Sequence, residues 1–190
     1  PGSEGMKGAV NRANEVVAER PGAVLARQFA NEANPAIHRA TTAEEIWADT
    51  DGEVDIFVAG IGTGGTISGA GARLKELKPD VHVVAVEPID SPLLTQGTAG
   101  PHKIQGIGAN FVPSILDRDA FDEVVDVALD DAVRVARDLS AREGIFSGIS
   151  TGAIVWAALV LLTIDMLRTA RRAASPSAPI RRDPAVVEGI

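Results

Sequence analysis

The 190-residue sequence contains no cysteine, which excludes disulfides, thiolate metal sites and cysteine nucleophiles together. This absence fits a reducing compartment, and we expect a cytoplasmic protein. Basic residues are also scarce, since 18 Lys and Arg stand against 26 Asp and Glu and the net charge is −8. Because contacts to nucleic-acid phosphates need clustered cations, we expect no nucleic-acid partner. Residues 168–190 are the exception, with five Arg against two acidic residues.

Long apolar runs are missing as well. The longest, residues 153–164, has about twelve residues, whereas a membrane-spanning helix needs about 20. We interpret this run as a buried helix of a soluble protein, with no membrane partner. Residues 1–9 contain no apolar segment of the kind that a secretory signal requires, so we expect no such signal.

The composition is that of a folded protein, with 45% hydrophobic and 23% charged residues. The clearest unit is an apolar strand at 55–59, a glycine-rich turn at 60–66, a helix at 67–77 and a second strand at 82–86. This order predicts a βαβ crossover, and therefore an α/β fold with a parallel sheet flanked by helices. The remaining predicted elements are helices at 6–20, 43–48 and 130–143, strands at 23–29, 121–128 and 145–149, and a polar loop at 31–42.

The glycine-rich turn between the first strand and its helix is the first candidate site. Glycine amides at a helix N-terminus can bind an anion. Gly60, Gly62 and Gly65 satisfy the dinucleotide fingerprint, and Glu87 ends the next strand 22 residues later, where a ribose-binding acid belongs. The hydroxyls of Thr63 and Thr66 favour a compact phosphate monoester instead. The turn alone leaves both interpretations open.

A second candidate site is the segment around Ser150. Gly148, Ser150 and Gly152 fit the G-x-S-x-G pattern of a hydrolase nucleophile elbow. That fold orders its triad as Ser, acid and His, but His38, His82 and His102 all precede Ser150. The hydrolase interpretation therefore fails, and a helix N-cap is the simpler role for Ser150.

The loop that contains His102 is the third candidate. A lone histidine in a loop is more often a surface residue than a catalytic base. The nearby Gly106 and Gly108 indicate a segment that approaches a ligand or flexes.

Five segments in one order give the sequence a specific resemblance. They resemble cysteine synthase (O-acetylserine sulfhydrylase), a fold-type II pyridoxal-phosphate-dependent family, over about residues 1–160. The segments are Glu4 to Ala9, Gln28-Phe29 with Asn34 to Arg39, Gly62 to Thr66, Pro101 to Gly108, and Gly148 to Ala153.

The resemblance implies a cofactor, pyridoxal 5′-phosphate, and a role for each matching position. It implies no metal. Ser150 would bond the pyridine nitrogen. Gln28 and Phe29 match the region that receives the substrate carboxylate, and Gln105, Gly106 and Gly108 match the active-site entrance. The cofactor phosphate would be held by Gly62, Thr63, Gly64, Gly65 and Thr66.

The same resemblance implies an activity in amino-acid biosynthesis. Family members replace the β-acetoxy group of O-acetylserine by sulfide, which gives L-cysteine and acetate. A small amino-acid substrate, a homodimer and serine acetyltransferase are the partners it implies.

The sequence departs from the family in its lysines. The family's Schiff-base lysine and the substrate loop after it match nothing here and are expected upstream. None of Lys7, Lys75, Lys78 and Lys103 stands at that position. We therefore predict a fragment that is inactive by itself.

The resemblance also predicts the domain organisation. Residues 1–30 would be a remnant of the smaller domain with an interdomain segment, and residues 31–167 would form the α/β domain that binds the cofactor phosphate. Residues 168–190 would form a divergent, disordered tail. Two alternatives remain open, namely an NAD-binding Rossmann-type oxidoreductase fragment and a non-catalytic interaction module of the same fold.

Overall fold

A parallel sheet of three strands forms the centre of the computed structural model, which describes residues 1–174. The strands are β1 (Ile56–Gly60), β2 (His82–Pro88) and β3 (Glu123–Val127), and they lie side by side in chain order. β2 is hydrogen-bonded to both neighbours in the parallel sense. The predicted α/β fold with a parallel sheet is confirmed.

Helices connect and flank these strands. A wide turn at His38–Thr42 joins α2 to α3, and a second wide turn at Ile67–Gly71 leads directly into α4. The chain divides into two compact units, Pro1–Ala158 and a second that begins at Leu159. The helices are α1 (Gly5–Glu19), α2 (Ala33–Ile37), α3 (Ala43–Asp49), α4 (Ala72–Leu77), α5 (Leu93–Gln96), α6 (Leu129–Glu143) and α7 (Ile149–Ala174).

The sheet is covered on both faces within the first unit. Successive side chains of a strand point to opposite faces, so β2 contributes to two separate cores. Val83 and Ala85 pack in one core with Leu74 of α4 and with Ile67 of the wide turn before it. On the other side, the core around Val86 contains Ala132 of α6 and Ala153 and Ala157 of α7.

Two predicted strands are wrong. Residues 23–29 and 145–149 form no strand in the described structure. Val24 is 93% exposed and Phe146 is 95% exposed, so neither side chain is packed as in a buried strand. A short apolar run becomes a strand only when a neighbouring strand accepts its hydrogen bonds, and none lies beside these segments in the described residues.

The predicted polar loop at 31–42 is wrong as well. Its residues from Ala33 onward are helical and run without a break into α3. Pro35 lies in the first turn of α2, where a missing amide proton costs nothing because that amide has no partner within the helix. The spacing of Thr42 and Glu45 predicts a helix N-cap at Thr42, but Thr42 has helical backbone angles and makes no capping hydrogen bond, so this prediction is wrong.

The apolar run near the end of the sequence forms the beginning of a longer helix. α7 has 26 residues, and residues 168–174 of the predicted disordered tail belong to it. Ala and Arg are good helix formers, which explains this extension. The prediction of disorder for residues 175–190 lies outside the described residues.

The prediction that this helix is buried holds only for its first part. Gly152, Ala153 and Ala157 are buried, but Leu162 and Met166 are 53% and 71% exposed. The segment Ile149–Arg171 is long and apolar enough to cross a membrane: its most apolar 18-residue window has a mean hydropathy of 1.9, with 17% of that window buried. Length and composition alone do not separate a membrane span from a core helix.

Two carboxyl groups lie side by side at the carboxyl end of β2 and β3. Glu87 and Asp126 are register partners, and the Thr95 hydroxyl is 2.9 Å from Glu87 Oε1 and 3.1 Å from Asp126 Oδ1. One hydroxyl proton can serve only one carboxylate at a time. Burial raises the pKa of Asp126; the Thr95 hydrogen bond opposes this rise, and the charge of Glu87 adds to it.

Replacing Asp126 by Asn is expected to increase the free energy of unfolding at pH 7 by about 0.5 to 1 kcal/mol. Because the folded-state pKa is raised, the folded state binds more protons than the unfolded state. The stability that Asp126 contributes is therefore complete below its unfolded-state pKa and is lost as the pH rises through the raised value. The neutral amide removes this loss. Urea unfolding at pH 7 and pH 3 measures the free energy of unfolding of the variant and of the unmodified protein. The difference between the two proteins should vanish at pH 3.

Asp122→Asn is the matched control, because the pKa of Asp122 shifts in the opposite direction. Burial opposes its ionisation, but hydrogen bonds from Lys75 and the Val83 amide outweigh burial and lower its pKa. Its contribution is present above the unfolded-state pKa and is lost as the pH falls through the lowered value. Asp122→Asn should therefore destabilise the protein at pH 7. A loss of stability at pH 7 in Asp126→Asn would contradict the paired-carboxyl explanation.

Candidate functional site

The glycine-rich turn follows β1 directly and ends where the next helix begins. Gly64 has a φ of 85°, which a residue with a side chain rarely adopts, so glycine is required there. The Gly64 carbonyl oxygen accepts from the Ser68 amide at 3.0 Å, which opens the helix. The helical backbone begins at Gly65, and Thr66 has helical backbone angles. The turn thus presents backbone amides at a helix N-terminus, at the edge where parallel α/β sheets bind ligands.

The α2 segment holds the turn through Asn34. The Asn34 Nδ2 group donates to Thr63 Oγ1 at 3.0 Å and to the Gln28 carbonyl oxygen at 2.8 Å. A Cβ on Gly65 would lie 1.9 Å from Asn34 Oδ1, so Gly65 allows the amide to lie against the turn. The turn and the segment before α2 are therefore connected by one side chain.

Thr66 is connected to the same helical region by His38. Thr66 Oγ1 lies 3.3 Å from His38 Nε2, and His38 Nδ1 lies 2.9 Å from Thr42 Oγ1. A neutral imidazole donates from one nitrogen and accepts at the other. One of the two hydroxyls therefore donates to the ring, and the other accepts from it. His38 fixes the orientation of Thr66 in this way.

The loop after β2 closes over the turn from the other side. A Cβ on Gly62 would lie 2.5 Å from the Gly106 carbonyl oxygen, and the Gly108 amide donates to the Ile61 carbonyl oxygen at 2.9 Å. Gly106 has a φ of 100°, and a Cβ there would lie 3.2 Å from Ser150 Oγ. The structure therefore brings together the turn, the Gly106 loop and Ser150.

Ser150 lies in the first turn of α7, one residue after its beginning, so the predicted N-cap position is displaced. His102 is not placed as a base towards Ser150. Its Nε2 atom donates to the Gly108 carbonyl oxygen at 2.6 Å and thereby holds the loop. The buried Nδ1 atom has no hydrogen-bond partner among residues 1–174.

Gln28 and Phe29 lie beside a different part of the same loop. The Phe29 ring packs edge-on against Phe111 with a centroid separation of 4.9 Å, and the Phe29 carbonyl oxygen accepts from Ser114 Oγ at 3.2 Å. The Gln28 side chain is exposed, as is that of Gln105 next to Gly106. The residues that line a small cleft here include Gly62, Glu87, Ser91, Gly108, Asn110 and Phe111.

Glu87 decides against the dinucleotide interpretation. Its side chain is 3% exposed, and its carboxylate accepts from the backbone amides of Leu94 and Thr95, both at 2.9 Å. These bonds hold the first turn of α5. A carboxylate that is buried and committed in this way cannot reach a ribose, so the structure gives the NAD alternative no support.

Sequence reasoning missed the contacts that Asn34 and His38 make with the turn, because their segment was predicted as a loop. The signal that could have placed them was Pro35, since proline is tolerated in the first turn of a helix and marks its beginning. In the part of the chain that the structure describes, no group of three or more His, Asp or Glu could hold a metal ion.

Comparison with known proteins identifies the family of this fold and site. The family described as pyridoxal-phosphate dependent enzyme matches residues 2–168. Cysteine synthase B of Campylobacter jejuni is 54% identical over 161 residues, which cover 85% of this chain and 54% of that protein. Cysteine synthase A of Escherichia coli strain K12 is 51% identical over 169 residues, which cover 84% of this chain and 52% of that protein. The chain thus spans about half the length of the relatives it matches.

Solved structures agree with this family. A hydrogen sulfide-producing enzyme of Fusobacterium nucleatum is 43% identical with a TM-score of 0.81, over 84% of this chain and 54% of that one. O-ureido-L-serine synthase is 48% identical with a TM-score of 0.80, over 85% of this chain and 51% of that one. The resemblance to cysteine synthases is confirmed, and the chain belongs to the pyridoxal-phosphate dependent enzyme family.

Proposed function

We propose that this chain forms the part of a cysteine synthase that binds the cofactor phosphate. In this proposal, Gly62, Thr63, Gly64, Gly65 and Thr66 hold the phosphate of pyridoxal 5′-phosphate, and Ser150 bonds the ring nitrogen. This proposal rests on two contacts: the glycine-rich turn packs against Gly106, and Gly106 packs against Ser150. The two contacts bring together Thr66 and Ser150, which are 84 positions apart in the sequence.

The residues at the site fit a phosphate monoester. A Cβ on Gly62 would lie 2.5 Å from the Gly106 carbonyl oxygen, so glycine is required for the turn to pack this closely against the Gly106 loop. Amides at a helix N-terminus carry partial positive charge, and the Thr63 and Thr66 hydroxyls add donors. Such a set of neutral donors suits a dianion with several oxygen acceptors.

The ring position fits a neutral hydrogen-bond partner. The Ser150 hydroxyl can donate to a pyridine nitrogen without protonating it, whereas a carboxylate would favour the protonated ring. When bound, pyridoxal phosphate supplies the electron sink that lets a leaving group depart from the β-carbon of an amino acid.

The whole protein would then replace the β-acetoxy group of O-acetylserine by sulfide, which gives L-cysteine and acetate. Gln28 and Phe29 would receive the substrate carboxylate, and Gln105, Gly106 and Gly108 would form the entrance. The exposed Gln28 and Gln105 side chains leave their amides available to a small polar substrate.

Cytoplasmic location, a homodimer and serine acetyltransferase as a partner belong to the same proposal. So do its domains, with residues 1–30 from the smaller domain and residues 31–167 as the α/β domain. The adjacent apolar side chains of Ile145 and Phe146, which are 54% and 95% exposed, support an interface, since a subunit contact would bury both. A non-catalytic module of the same fold is the competing role.

Binding of pyridoxine 5′-phosphate and of pyridoxine tests the assigned roles. Neither compound has an aldehyde, so neither reacts with surface lysines. Calorimetry should show that Thr66→Val lowers the affinity for pyridoxine 5′-phosphate about tenfold, because a hydrogen-bond donor to a charged group is lost. The affinity for pyridoxine should not change. Ser150→Ala should lower the affinity for both compounds by a similar factor, because the Ser150 hydroxyl is proposed to bond the ring that both share.

Thr41→Val is the matched control, since the Thr41 hydroxyl donates to the Ile37 carbonyl oxygen and is exposed. It should change neither affinity. Wild-type protein that does not distinguish the two compounds, or a Thr66→Val protein that loses both equally, would overturn the phosphate assignment.

A further inference from the structure

The orientation of the Asn34 amide is fixed by its neighbours. Its Nδ2 group lies 2.8 Å from the Gln28 carbonyl oxygen. A carbonyl oxygen can only accept, so the NH₂ side of the amide must face it. The second N–H of the same group then points to Thr63 Oγ1 at 3.0 Å.

The Thr63 hydroxyl consequently has one direction left for its proton. Its oxygen accepts from Asn34 and also from the Gly65 amide at 3.3 Å. A hydroxyl has two acceptor lone pairs and one proton, so both lone pairs are occupied and the proton is free to donate. A hydroxyl prepared in this way is a donor, and a donor is what a phosphate oxygen needs.

We infer that Asn34 is a positioning residue that fixes the Thr63 hydroxyl as a hydrogen-bond donor to the ligand phosphate. This inference rests on the proposed function, because it requires a phosphate at the turn. Asn34 does not touch the ligand in this scheme, and it acts only through Thr63.

The close packing of Asn34 supports a specific role. A Cβ on Gly65 would lie 1.9 Å from Asn34 Oδ1, so the turn is shaped to admit the amide. The next residue packs equally closely, since a Cβ on Gly69 would lie 2.1 Å from the Pro35 carbonyl oxygen. Helix α2 therefore cannot shift along the turn, and the amide stays aligned with the Thr63 hydroxyl.

A double-mutant cycle tests this coupling. Pyridoxine 5′-phosphate and pyridoxine are titrated into wild type, Asn34→Ala, Thr63→Val and the double variant by calorimetry. Asn34→Ala should lower the affinity for pyridoxine 5′-phosphate about fivefold to tenfold and leave the affinity for pyridoxine unchanged. In the Thr63→Val background, the same substitution should cost less than twofold, because no hydroxyl remains to be oriented.

Asn31→Ala is the matched control. Asn31 is the same residue type, and its side chain donates to the Ala26 carbonyl oxygen and accepts from the Ala33 amide, both at 3.0 Å, but among the described residues it makes no hydrogen bond with the turn. It should leave both affinities unchanged. Circular dichroism establishes that each variant is folded. If Asn34→Ala does not fold, Asn34→Asp takes its place in the cycle. The Asp variant should lose more affinity for pyridoxine 5′-phosphate, because its carboxylate would accept the Thr63 proton.

The outcomes separate the two proposals. If Asn34→Ala costs the same with and without the Thr63 hydroxyl, the positioning role is overturned while the phosphate site stands. An Asn34→Asp variant with unchanged affinity overturns it too. Wild-type protein that binds no pyridoxine 5′-phosphate overturns the proposed function and this inference together.

Discussion

Supplied with pyridoxal phosphate, O-acetylserine and sulfide, the 190-residue chain is expected to form no cysteine above the reagent background. Covalent anchoring of the cofactor needs a lysine amine at the site. Lys75 and Lys78 are bonded to Asp122 and Asp55, which stand just before β3 and β1. Asp55 is separated from the turn by the five residues of β1, about 16 Å at the usual strand rise.

The other two lysines do not match the anchoring position either. Lys7 lies in α1, and Lys103 lies in the loop that leads to Gly106, where its side chain is exposed. The expected effect is the loss of the whole enzymatic rate enhancement, at least about 10⁶-fold. Borohydride treatment followed by peptide mass spectrometry should find no stoichiometric lysine adduct.

A full-length cysteine synthase provides the positive control in the same assay. Lys7→Ala and Lys103→Ala variants of this chain should behave as the unmodified chain does. Cysteine production together with a single reduced lysine would contradict the prediction and would identify the anchoring residue.

Gly152→Ala is expected to destabilise the protein by about 3 kcal/mol, because α7 crosses α6 at this glycine. An added Cβ would lie 2.0 Å from the Ala132 carbonyl oxygen and 2.8 Å from the Ala136 nitrogen. Both atoms belong to the backbone of α6, so the contact cannot be relieved by rotating a side chain. The whole helix would have to move, which would open the core around Ala153. Thermal and urea unfolding measure the loss.

Gly148→Ala gives the comparison, since it stands four residues earlier in the same motif. A Cβ there would meet no atom within 4 Å, and the residue does not have a positive φ. Its substitution should change the free energy of unfolding by less than about 0.5 kcal/mol. Equal losses in the two variants would mean that Gly152 is not selected by helix packing.

The pattern of local signals was sufficient for part of the fold. The apolar strands around 55–59 and 82–86, with a glycine-rich turn and a helix between them, are found as β1, β2 and the helical segment between them. The helices predicted at 6–20 and 130–143 are found as α1 and α6. In these segments the apolar spacing and the terminating residues favour the same structure, so local preference and tertiary packing agree.

Local signals failed where the outcome depended on a partner far along the chain. The runs at 23–29 and 145–149 have strand-like composition but no neighbouring strand in the described residues. Pro35 made residues 31–42 look like a loop, although a first-turn proline is compatible with the helix that packs there. Buried status along α7 likewise could not be deduced from hydropathy.

The sequence by itself determined the chemistry that is available. It supplied the glycines and hydroxyls of the turn, the neutral Ser150, the absence of thiols and the motif order by which the family is identified. Only the tertiary structure decided which of these groups meet. The Gly106 loop joins the turn to Ser150, Glu87 is committed to α5, and Asn34 reaches Thr63 across 29 positions. Such contacts depend on the parallel sheet, which gathers loops from distant parts of the chain at one edge.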